Sequence, residues 1–185
     1  MPISSAVIDA CVLFNAPVRD TLLRAAEWGL YSVYWSRQIL HETANNLIKS
    51  GKTNQSQAEY LVSALTTTFP EAIVIVPKAQ VLKMTNSPKD RHVAACAVRA
   101  HAQIIITFNV SDFKQEALSP WNIEARHPDQ QLLDLYTLAP DTMLTILNQQ
   151  AEDLKGISFD QLLEILKRSV PKFVNTVQKR LSQQQ

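Results

Sequence analysis

The chain has 185 residues, of which 46% are hydrophobic and 19% are charged, and its formal net charge at pH 7 is +1. This share of hydrophobic residues excludes an intrinsically disordered protein, and the length suits one domain with a substantial core and a small appendage. The low net charge excludes recognition of a nucleic acid by overall charge alone, so any attraction must come from local basic patches or bound cations.

The sequence predicts a cytoplasmic protein. Its longest apolar runs are much shorter than the roughly 20 residues that cross a bilayer, and no basic segment followed by an apolar one stands at the amino terminus. Cys11 and Cys96 form neither a disulfide framework nor a zinc-ligand pair, because two isolated cysteines lack the required spacing. We expect both thiols to act as small hydrophobic groups in the core.

Strand and helix signals alternate over most of the chain. The predicted strands are segments 6–8, 30–35, 72–76, 103–107 and 123–126. The predicted helices between them are segments 17–28, 37–50, 55–68 and one that begins at Asp90. Ser36 and Gly51 provide a cap and a stop for the second of these helices. The alternation favours an α/β fold in which helices cover a sheet of mainly parallel strands.

After residue 129 the sequence contains only helix signals. The predicted helices are 130–138, 141–155, 159–169 and 172–181. Pro140, Gly156 and Pro171 separate them, as expected for residues that interrupt or end helices. We therefore predict two domains, an α/β domain over residues 1–129 and a helical carboxyl-terminal extension over residues 130–185.

Four acidic residues stand at positions that a parallel sheet brings together. Asp9 interrupts the apolar stretch of the first strand, and Asp112 lies in the polar cluster that follows the fourth predicted strand. Glu42 lies at the edge of the apolar stripe of its helix, and Asp90 lies in the first turn of the next core helix. Because α/β folds bind ligands at the carboxyl ends of parallel strands, these carboxylates are expected to converge.

Each of these polar residues also has a purely structural interpretation. Asp9 suits a turn or a cap, and Glu42 suits a solvated helix face. Asp90 interacts favourably with a helix dipole, by about 0.3 to 1 kcal/mol, and Asp112 suits the cap of a short helix. Asn109 suits a turn. None of these interpretations explains why the four acids fall where the predicted sheet brings them together.

Converging carboxylates favour a bound cation. At about 5 Å and an effective dielectric of about 20, their repulsion amounts to about 3 kcal/mol per pair. Ligands that are all oxygen select hard ions, so the sequence predicts Mg²⁺ or Mn²⁺. Because such an ion polarises a phosphodiester and activates water, the predicted chemistry is phosphodiester hydrolysis.

The metal hypothesis assigns a role to each residue. Asp9 is the central ligand, and Asp90 and Asp112 complete the coordination of the ion. Glu42 binds an ion or orients the attacking water. The residues expected to fix the carboxylates by hydrogen bonds are Thr107 and Asn109.

Four short motifs follow one another in the chain at these positions. They are Val7-Ile8-Asp9-Ala10, Ile39-Leu40-His41-Glu42-Thr43, Asp90-Arg91-His92-Val93-Ala94-Ala95 and Thr107-Phe108-Asn109-Val110-Ser111-Asp112-Phe113. With this order and spacing, the chain over about residues 1–129 resembles PIN-domain ribonucleases, specifically the toxin component of VapC-type toxin–antitoxin systems. Each motif is short, and the ordered set makes the resemblance specific.

The resemblance implies a Rossmann-like three-layer α/β/α sandwich and a helical carboxyl-terminal extension like that of one branch of the family. It implies dependence on Mg²⁺ or Mn²⁺, cleavage of an RNA substrate and inhibition by a cognate antitoxin protein, and it leaves a homodimer open. By match, the catalytic and metal-binding acids are Asp9, Glu42, Asp90 and Asp112, with Asn109 as a polar neighbour. Family members often carry a further acid just before the Asp90 position, where this chain has Lys89, so one bound ion is an alternative to two.

Other functions remain as alternatives. A catalytically weak PIN fold would bind RNA or protein without cleaving it, although the presence of all four acids argues against this. Phosphoryl transfer through an aspartyl nucleophile at Asp9 calls for an acid two residues later, where Cys11 stands. A dinucleotide-binding role is excluded, because no GxGxxG motif follows the first strand.

Overall fold

The computed structural model describes residues 4–183. The first three residues of the predicted α/β domain and the last two residues of the predicted helical extension lie outside it. Residues 4–14 and Tyr31–Arg126 form one compact unit, and Asn15–Leu30 with residues 127–183 form another. In chain order the helices are α1 (Ala10–Phe14), α2 (Ala16–Glu27), α3 (Arg37–Lys49), α4 (Gln55–Thr68), α5 (Lys78–Leu82), α6 (Arg91–Arg99), α7 (Gln115–Leu118), α8 (Pro128–Leu138), α9 (Pro140–Asp153), α10 (Phe159–Lys167) and α11 (Pro171–Gln183).

The first unit is built on a five-stranded sheet. Its strands are β1 (Ser5–Ile8), β2 (Ser32–Ser36), β3 (Ile73–Val74), β4 (Ile104–Ile106) and β5 (Glu124–Arg126). They lie in the order β3-β2-β1-β4-β5, and every neighbouring pair is parallel. The predicted α/β class with a mainly parallel sheet is therefore confirmed.

The central strands of this sheet are buried on both faces. Ala6, Val7 and Ile8 of β1 are fully buried, and Ile104–Ile106 of β4 are at most 4% exposed. Because successive side chains of a strand point to opposite faces, both faces of the sheet must be covered. The helix α6 packs on β1, β2 and β4, and α3 packs on β2. This arrangement confirms the predicted α/β/α sandwich.

Side-chain caps fix the beginnings of α3 and α4 at the predicted positions. Ser36 Oγ accepts a hydrogen bond from the Ile39 N–H at 3.2 Å, which satisfies one of the free donors in the first turn of α3. Asn54 and Gln57 form a capping box at the start of α4. The bounds of α4 are therefore those that the sequence predicted.

The second unit is helical and consists of α2 and α8 to α11. Thr21 of α2 donates a hydrogen bond to Gln150 Oε1 of α9 at 2.7 Å, and Gln150 Nε2 donates to the Pro17 carbonyl at 3.0 Å. These bonds satisfy polar groups that are fully buried. The helical nature of the carboxyl-terminal part is confirmed, and this unit also contains α2. The domain boundary near residue 129 stays a prediction.

Asp129 holds the amino-terminal end of α11. Its two carboxylate oxygens accept the backbone N–H groups of Lys172 at 3.0 Å and Phe173 at 2.8 Å. We expect Asp129→Ala to lower the free energy of unfolding by about 1 to 3 kcal/mol, because a buried and a partly buried backbone donor lose a charged acceptor. Urea denaturation measures the change. Asp160→Ala is the control, since Asp160 is an exposed acid in the first turn of α10, and equal effects of the two variants would contradict this role.

Three short helices, α1, α5 and α7, were not predicted. The helix α1 lies in an apolar run that periodicity could not divide from the preceding strand, because buried strands and buried helical turns have the same composition. The helix α7 follows the polar cluster that was predicted as a loop. Among residues 4–183, none of the helices has the length and apolarity that a bilayer span requires.

Candidate active site

Asp9 and Thr107 meet at the carboxyl edge of the sheet. Each follows directly on a central strand, and the last residues of those strands, Ile8 and Ile106, are paired in register. The Asp9 N–H donates to the Ile106 carbonyl at 3.0 Å, which ties the two strand ends together. Thr107 Oγ1 donates to Asp9 Oδ2 at 2.7 Å. The carboxylate of Asp9, which is 7% exposed, is thereby held in one orientation.

Cys11 is a second hydrogen-bond donor to Asp9. Its thiol donates to Asp9 Oδ2 at 3.2 Å, and its sulfur accepts the Phe108 N–H at 3.4 Å. Burial, followed by the charge of Asp9, raises the pKa of Cys11 to about 12, so the thiol is protonated and able to donate at neutral pH. The predicted role of a small hydrophobic group is wrong for Cys11 and confirmed for Cys96, which is fully buried.

Asn109 acts through its backbone. Its N–H donates to Thr107 Oγ1 at 3.1 Å, which orients the hydroxyl whose hydrogen points to Asp9. The backbone N–H of Asn109 therefore acts on Asp9 indirectly, through the Thr107 hydroxyl. The auxiliary role predicted for Asn109 stays a prediction.

Lys89 connects Asp90 and Asp112. Both acids end short 3-10 turns, at Pro88–Asp90 and Val110–Asp112. Lys89 Nζ lies 2.9 Å from Asp112 Oδ2 and 3.9 Å from Asp90 Oδ2. The hydrogen bond to Asp112 and the charges of Asp90, Asp112 and Asp9 raise the pKa of Lys89. The negative charges of three of the four predicted acids therefore stabilise the charged form of the Lys89 ammonium group.

Asp90 is held in a partly desolvated position. Burial, together with the nearby charges of Asp112 and Asp9, raises its pKa, although Lys89 opposes this shift. Its Oδ2 is buried and accepts no hydrogen bond within residues 4–183. A buried carboxylate oxygen without a donor is costly unless a cation compensates it.

Glu42 lies in a separate pair with His92. His92 Nε2 is 3.1 Å from Glu42 Oε1, and Gln38 Nε2 donates to the same oxygen at 3.1 Å. Although burial alone raises the pKa of Glu42, the hydrogen bond and the charge of His92, with help from Gln38, hold it below its ordinary value. Within residues 4–183, the hydrogen bonds and ion pairs of the Glu42 carboxylate are with His92 and Gln38, and none links it to the other three acids. The structure thus brings Asp9, Asp90 and Asp112 together and links Glu42 to the first turn of α6.

The chemistry of the acids fits a hard divalent cation. The donors are carboxylate oxygens, and Asp90 Oδ2 is buried without a hydrogen bond. Within residues 4–183, however, no three or more His, Cys, Asp or Glu side chains are grouped so that they could hold a metal ion as they stand. Lys89 contacts Oδ2 of Asp112, and His92 contacts Oε1 of Glu42.

An open pocket lies beside Asp112. Its volume is about 530 Å³, and Asn86, Arg91, Asp112 and Lys114 are among the residues that line it. Arg91 Nε donates to the Asn86 carbonyl at 3.1 Å, which fixes the guanidinium at the pocket wall. Two basic side chains beside an acidic cluster provide local attraction for phosphate groups in a chain whose net charge is only +1.

Sequence reasoning missed Lys89, Cys11 and His92 as partners of the acids. Lys89 was noted as a departure from the family pattern. Cys11 was noted as a core thiol and as the residue that stands where a phosphoryl-transfer enzyme would have an acid. His92 is buried next to Val93–Ala97, a run of buried residues in α6. A polar side chain in such surroundings indicates that it has a hydrogen-bonding partner.

Comparison with known proteins places these observations in a family. The model of the PIN domain matches residues 5–111, and the model of the VapC50 C-terminal domain matches residues 128–179. A protein of Mycobacterium tuberculosis named "Putative ribonuclease VapC50" is 38% identical over 92 residues, which make up 49% of this chain and 54% of that protein. The chain therefore matches about half the length of this relative. No solved structure matches the chain significantly.

The match to the PIN domain covers more than half of the chain. It contains Asp9, Glu42 and Asp90, with the strands β1 and β4, and ends one residue before Asp112. The sheet order and the convergence of three carboxylates at its carboxyl edge agree with this match. The chain belongs to the PIN domain family.

Proposed function

We propose that this protein is a metal-dependent endoribonuclease and the toxin of a toxin–antitoxin pair. The observation that carries the proposal is the set of three carboxylates, from Asp9, Asp90 and Asp112, beside the ends of parallel strands in a PIN domain. The name of the relative as a ribonuclease supports the reaction, although the match spans only half of that protein.

Each acid has its own role in the proposed hydrolysis. Asp9, Asp90 and Asp112 would hold Mg²⁺ or Mn²⁺, and Thr107 and Asn109 support the orientation of Asp9. When bound, such an ion supplies Lewis-acid polarisation of the phosphodiester and a more acidic water. Glu42, whose carboxylate His92 stabilises in the ionised form, would bind an ion or orient the attacking water.

The RNA substrate is held by local rather than overall charge. Arg91 and Lys114 line the pocket beside Asp112, where they contact phosphate groups of the strand on either side of the scissile bond. A groove of this kind favours a single strand whose backbone reaches the acids. Phosphate contacts of this sort fix the position of the strand without reading its bases.

The reaction is tested by the chemistry of its products. In hydrolysis by water the RNA 2′-hydroxyl takes no part, so the products carry no 2′,3′-cyclic phosphate. Purified protein with Mg²⁺ or Mn²⁺ is incubated with a labelled RNA, and with the same RNA bearing a 2′-deoxy substitution at the cleaved position. Cleavage of both is expected. Cyclic phosphate ends, or loss of cleavage on 2′-deoxy substitution, would contradict hydrolysis by water.

Thr107 provides a test of the support that Asp9 receives. We expect Thr107→Val to lower the affinity for Mn²⁺ by about tenfold to a hundredfold, because a ligand that loses its orienting hydrogen bond binds less well. Val keeps the shape of the side chain, and Mn²⁺ binding is measured by electron paramagnetic resonance. Thr66→Val is the control, since the Thr66 hydroxyl donates only to carbonyls of its own helix. Equal affinity in wild type and Thr107→Val would contradict the assigned role.

The toxin role is tested in cells. The resemblance to VapC-type toxins predicts that expression of the chain arrests growth and that a small protein encoded beside it relieves the arrest. Expression of Asp90→Asn is the matched control and should permit growth. Growth arrest by both chains would mean that toxicity does not depend on the acids.

A catalytically weak PIN fold that binds RNA or protein is the second candidate. The pairing of Asp112 with Lys89 favours it, because an ammonium group already balances part of the acidic charge. Binding of RNA without cleavage, at every concentration of Mg²⁺ and Mn²⁺, would support this candidate over the nuclease.

A further inference from the structure

Lys89 reaches the acidic cluster from the solvent side. Its side chain is 67% exposed, whereas the side chains of Asp90 and Asp112 are 18% and 32% exposed. Pro88 and Asp90 flank it in the 3-10 turn, and the Asp90 N–H donates to the Ser87 carbonyl at 2.9 Å. The backbone of the turn is therefore held in place, while the ammonium is carried on a flexible four-carbon stem.

The position of the ammonium is that of a counter-ion. Nζ donates a hydrogen bond to Asp112 Oδ2 at 2.9 Å, lies 3.9 Å from Asp90 Oδ2 and feels the charge of Asp9. Without a positive charge, three carboxylates in this arrangement repel one another. Lys89 removes part of that repulsion in the protein without a bound metal.

The contact with Lys89 is also weak enough to break. Exposed ion pairs contribute little to stability, because water screens them and the side chains lose conformational freedom. A lysine makes one compact contact, in contrast to the rigid two-pronged contact of an arginine. A divalent cation carries twice the charge of an ammonium and binds several oxygens at once, so it competes effectively for the same carboxylates.

We propose that Lys89 is a built-in counter-ion of the acidic cluster, which balances part of the negative charge of Asp112 and Asp90 in the metal-free protein and is displaced from Asp112 when a divalent cation binds. This inference rests on the proposed metal-dependent function. It accounts for carboxylates that lie near one another although, among residues 4–183, no three or more His, Cys, Asp or Glu side chains are grouped so that they could hold a metal ion as they stand. It makes Lys89 a positioning residue that sets the metal affinity, rather than a residue that contacts the substrate.

Lys114 offers a matched control. It lines the pocket that Asp112 also lines, and within residues 4–183 its side chain makes no ion pair or hydrogen bond. Removal of its charge changes the general potential of the pocket without removing a contact to an acid. A difference between Lys89 and Lys114 variants therefore reports the specific pairing.

The first test measures Mn²⁺ binding to the full chain, without RNA, from the electron paramagnetic resonance signal of free Mn²⁺ at low ionic strength. We expect Lys89→Gln to lower the Mn²⁺ Kd by about two- to fivefold, the size typical of losing one exposed ionic competitor. Lys89→Arg should leave the Kd unchanged or raise it, because arginine keeps the positive charge and can hold a carboxylate with two hydrogen bonds. Lys114→Gln should change the Kd less than Lys89→Gln does. An unchanged or higher Kd in Lys89→Gln would overturn the proposal.

The second test observes the displacement itself. The lysines are dimethylated with ¹³C-formaldehyde, and the Lys89 signal is assigned by its absence from Lys89→Arg. Addition of Mg²⁺, which is diamagnetic, should move the Lys89 signal towards that of the exposed lysines and leave Lys114 in place. A Lys89 signal that stays unchanged while Mg²⁺ competes with Mn²⁺ for the protein would overturn displacement.

Failure of this inference differs from failure of the proposed function. If wild type and Lys89→Gln bind Mn²⁺ equally and the protein cleaves RNA, only the role of Lys89 is wrong. If neither protein binds Mn²⁺, both the proposed metal-dependent function and the proposed role of Lys89 are wrong.

Discussion

Asp9→Asn should lower the rate of RNA cleavage by about a thousandfold or more while leaving the fold intact. The substitution removes one negative charge from the group that is most deeply buried among the four acids. Catalytic electrostatic groups of this kind typically contribute about a hundredfold to a thousandfold each, and the loss of a central metal ligand adds to that effect. The rate is measured under single-turnover conditions with saturating Mn²⁺.

The fold should survive because asparagine reproduces the shape of aspartate. Its amide oxygen still accepts hydrogen bonds from Thr107 and Cys11, the two side chains that donate to Asp9. Circular dichroism and thermal unfolding check that the variant is folded. Asp160→Asn removes an exposed carboxylate from α10 and is the control for the loss of a charge. A folded Asp9→Asn protein that cleaves RNA at the wild-type rate would exclude Asp9 from the reaction.

The fold was predictable where local signals agreed with tertiary packing. The helix α4 has a capping box and a regular apolar stripe, and its bounds were predicted to the residue. The strands β1, β2, β4 and β5 were predicted at the right places, with ends that differ by one or two residues. Strand ends are set by pairing with neighbours, and a continuous apolar run such as that around β1 does not show where pairing stops.

The position of α2 could not be predicted from order along the chain. Its apolar residues Val18, Leu22 and Ala25 are fully buried in the helical unit, although α2 lies between the first two strands of the sheet. Helical periodicity shows that a helix has a buried face but not which element covers it. Contacts between distant segments, such as that of Thr21 with Gln150, decide this.

The part of the candidate site that lies at the ends of the strands was predictable from the sequence. Asp9 and Thr107 follow neighbouring parallel strands, so topology alone brings them together. The partners of the other acids depend on side-chain geometry, which sequence periodicity does not encode. Lys89 reaches Asp112 across 23 residues through two 3-10 turns, and Glu42 pairs with His92 on another helix.

Removal of divalent cations should stop cleavage completely. The carboxylates of Asp9, Asp90 and Asp112 repel one another, and Asp90 Oδ2 is buried and accepts no hydrogen bond within residues 4–183. A cation bound among them lowers the energy of this arrangement. The single positive charge of Lys89 balances only part of that negative charge. Excess EDTA should therefore abolish RNA cleavage, and Mg²⁺ or Mn²⁺ added beyond the chelator should restore it.

The controls separate metal removal from other effects of the chelator. EDTA that is saturated with Mg²⁺ beforehand should leave cleavage unchanged, and metal-free EDTA should leave the circular dichroism spectrum unchanged, because the hydrophobic core of the sheet folds without an ion. In Asp9→Asn, added Mn²⁺ should restore little activity, since the ligand itself is altered. Undiminished cleavage in excess EDTA would refute metal dependence, because the carboxylates would then act on RNA without the cation that their mutual repulsion calls for.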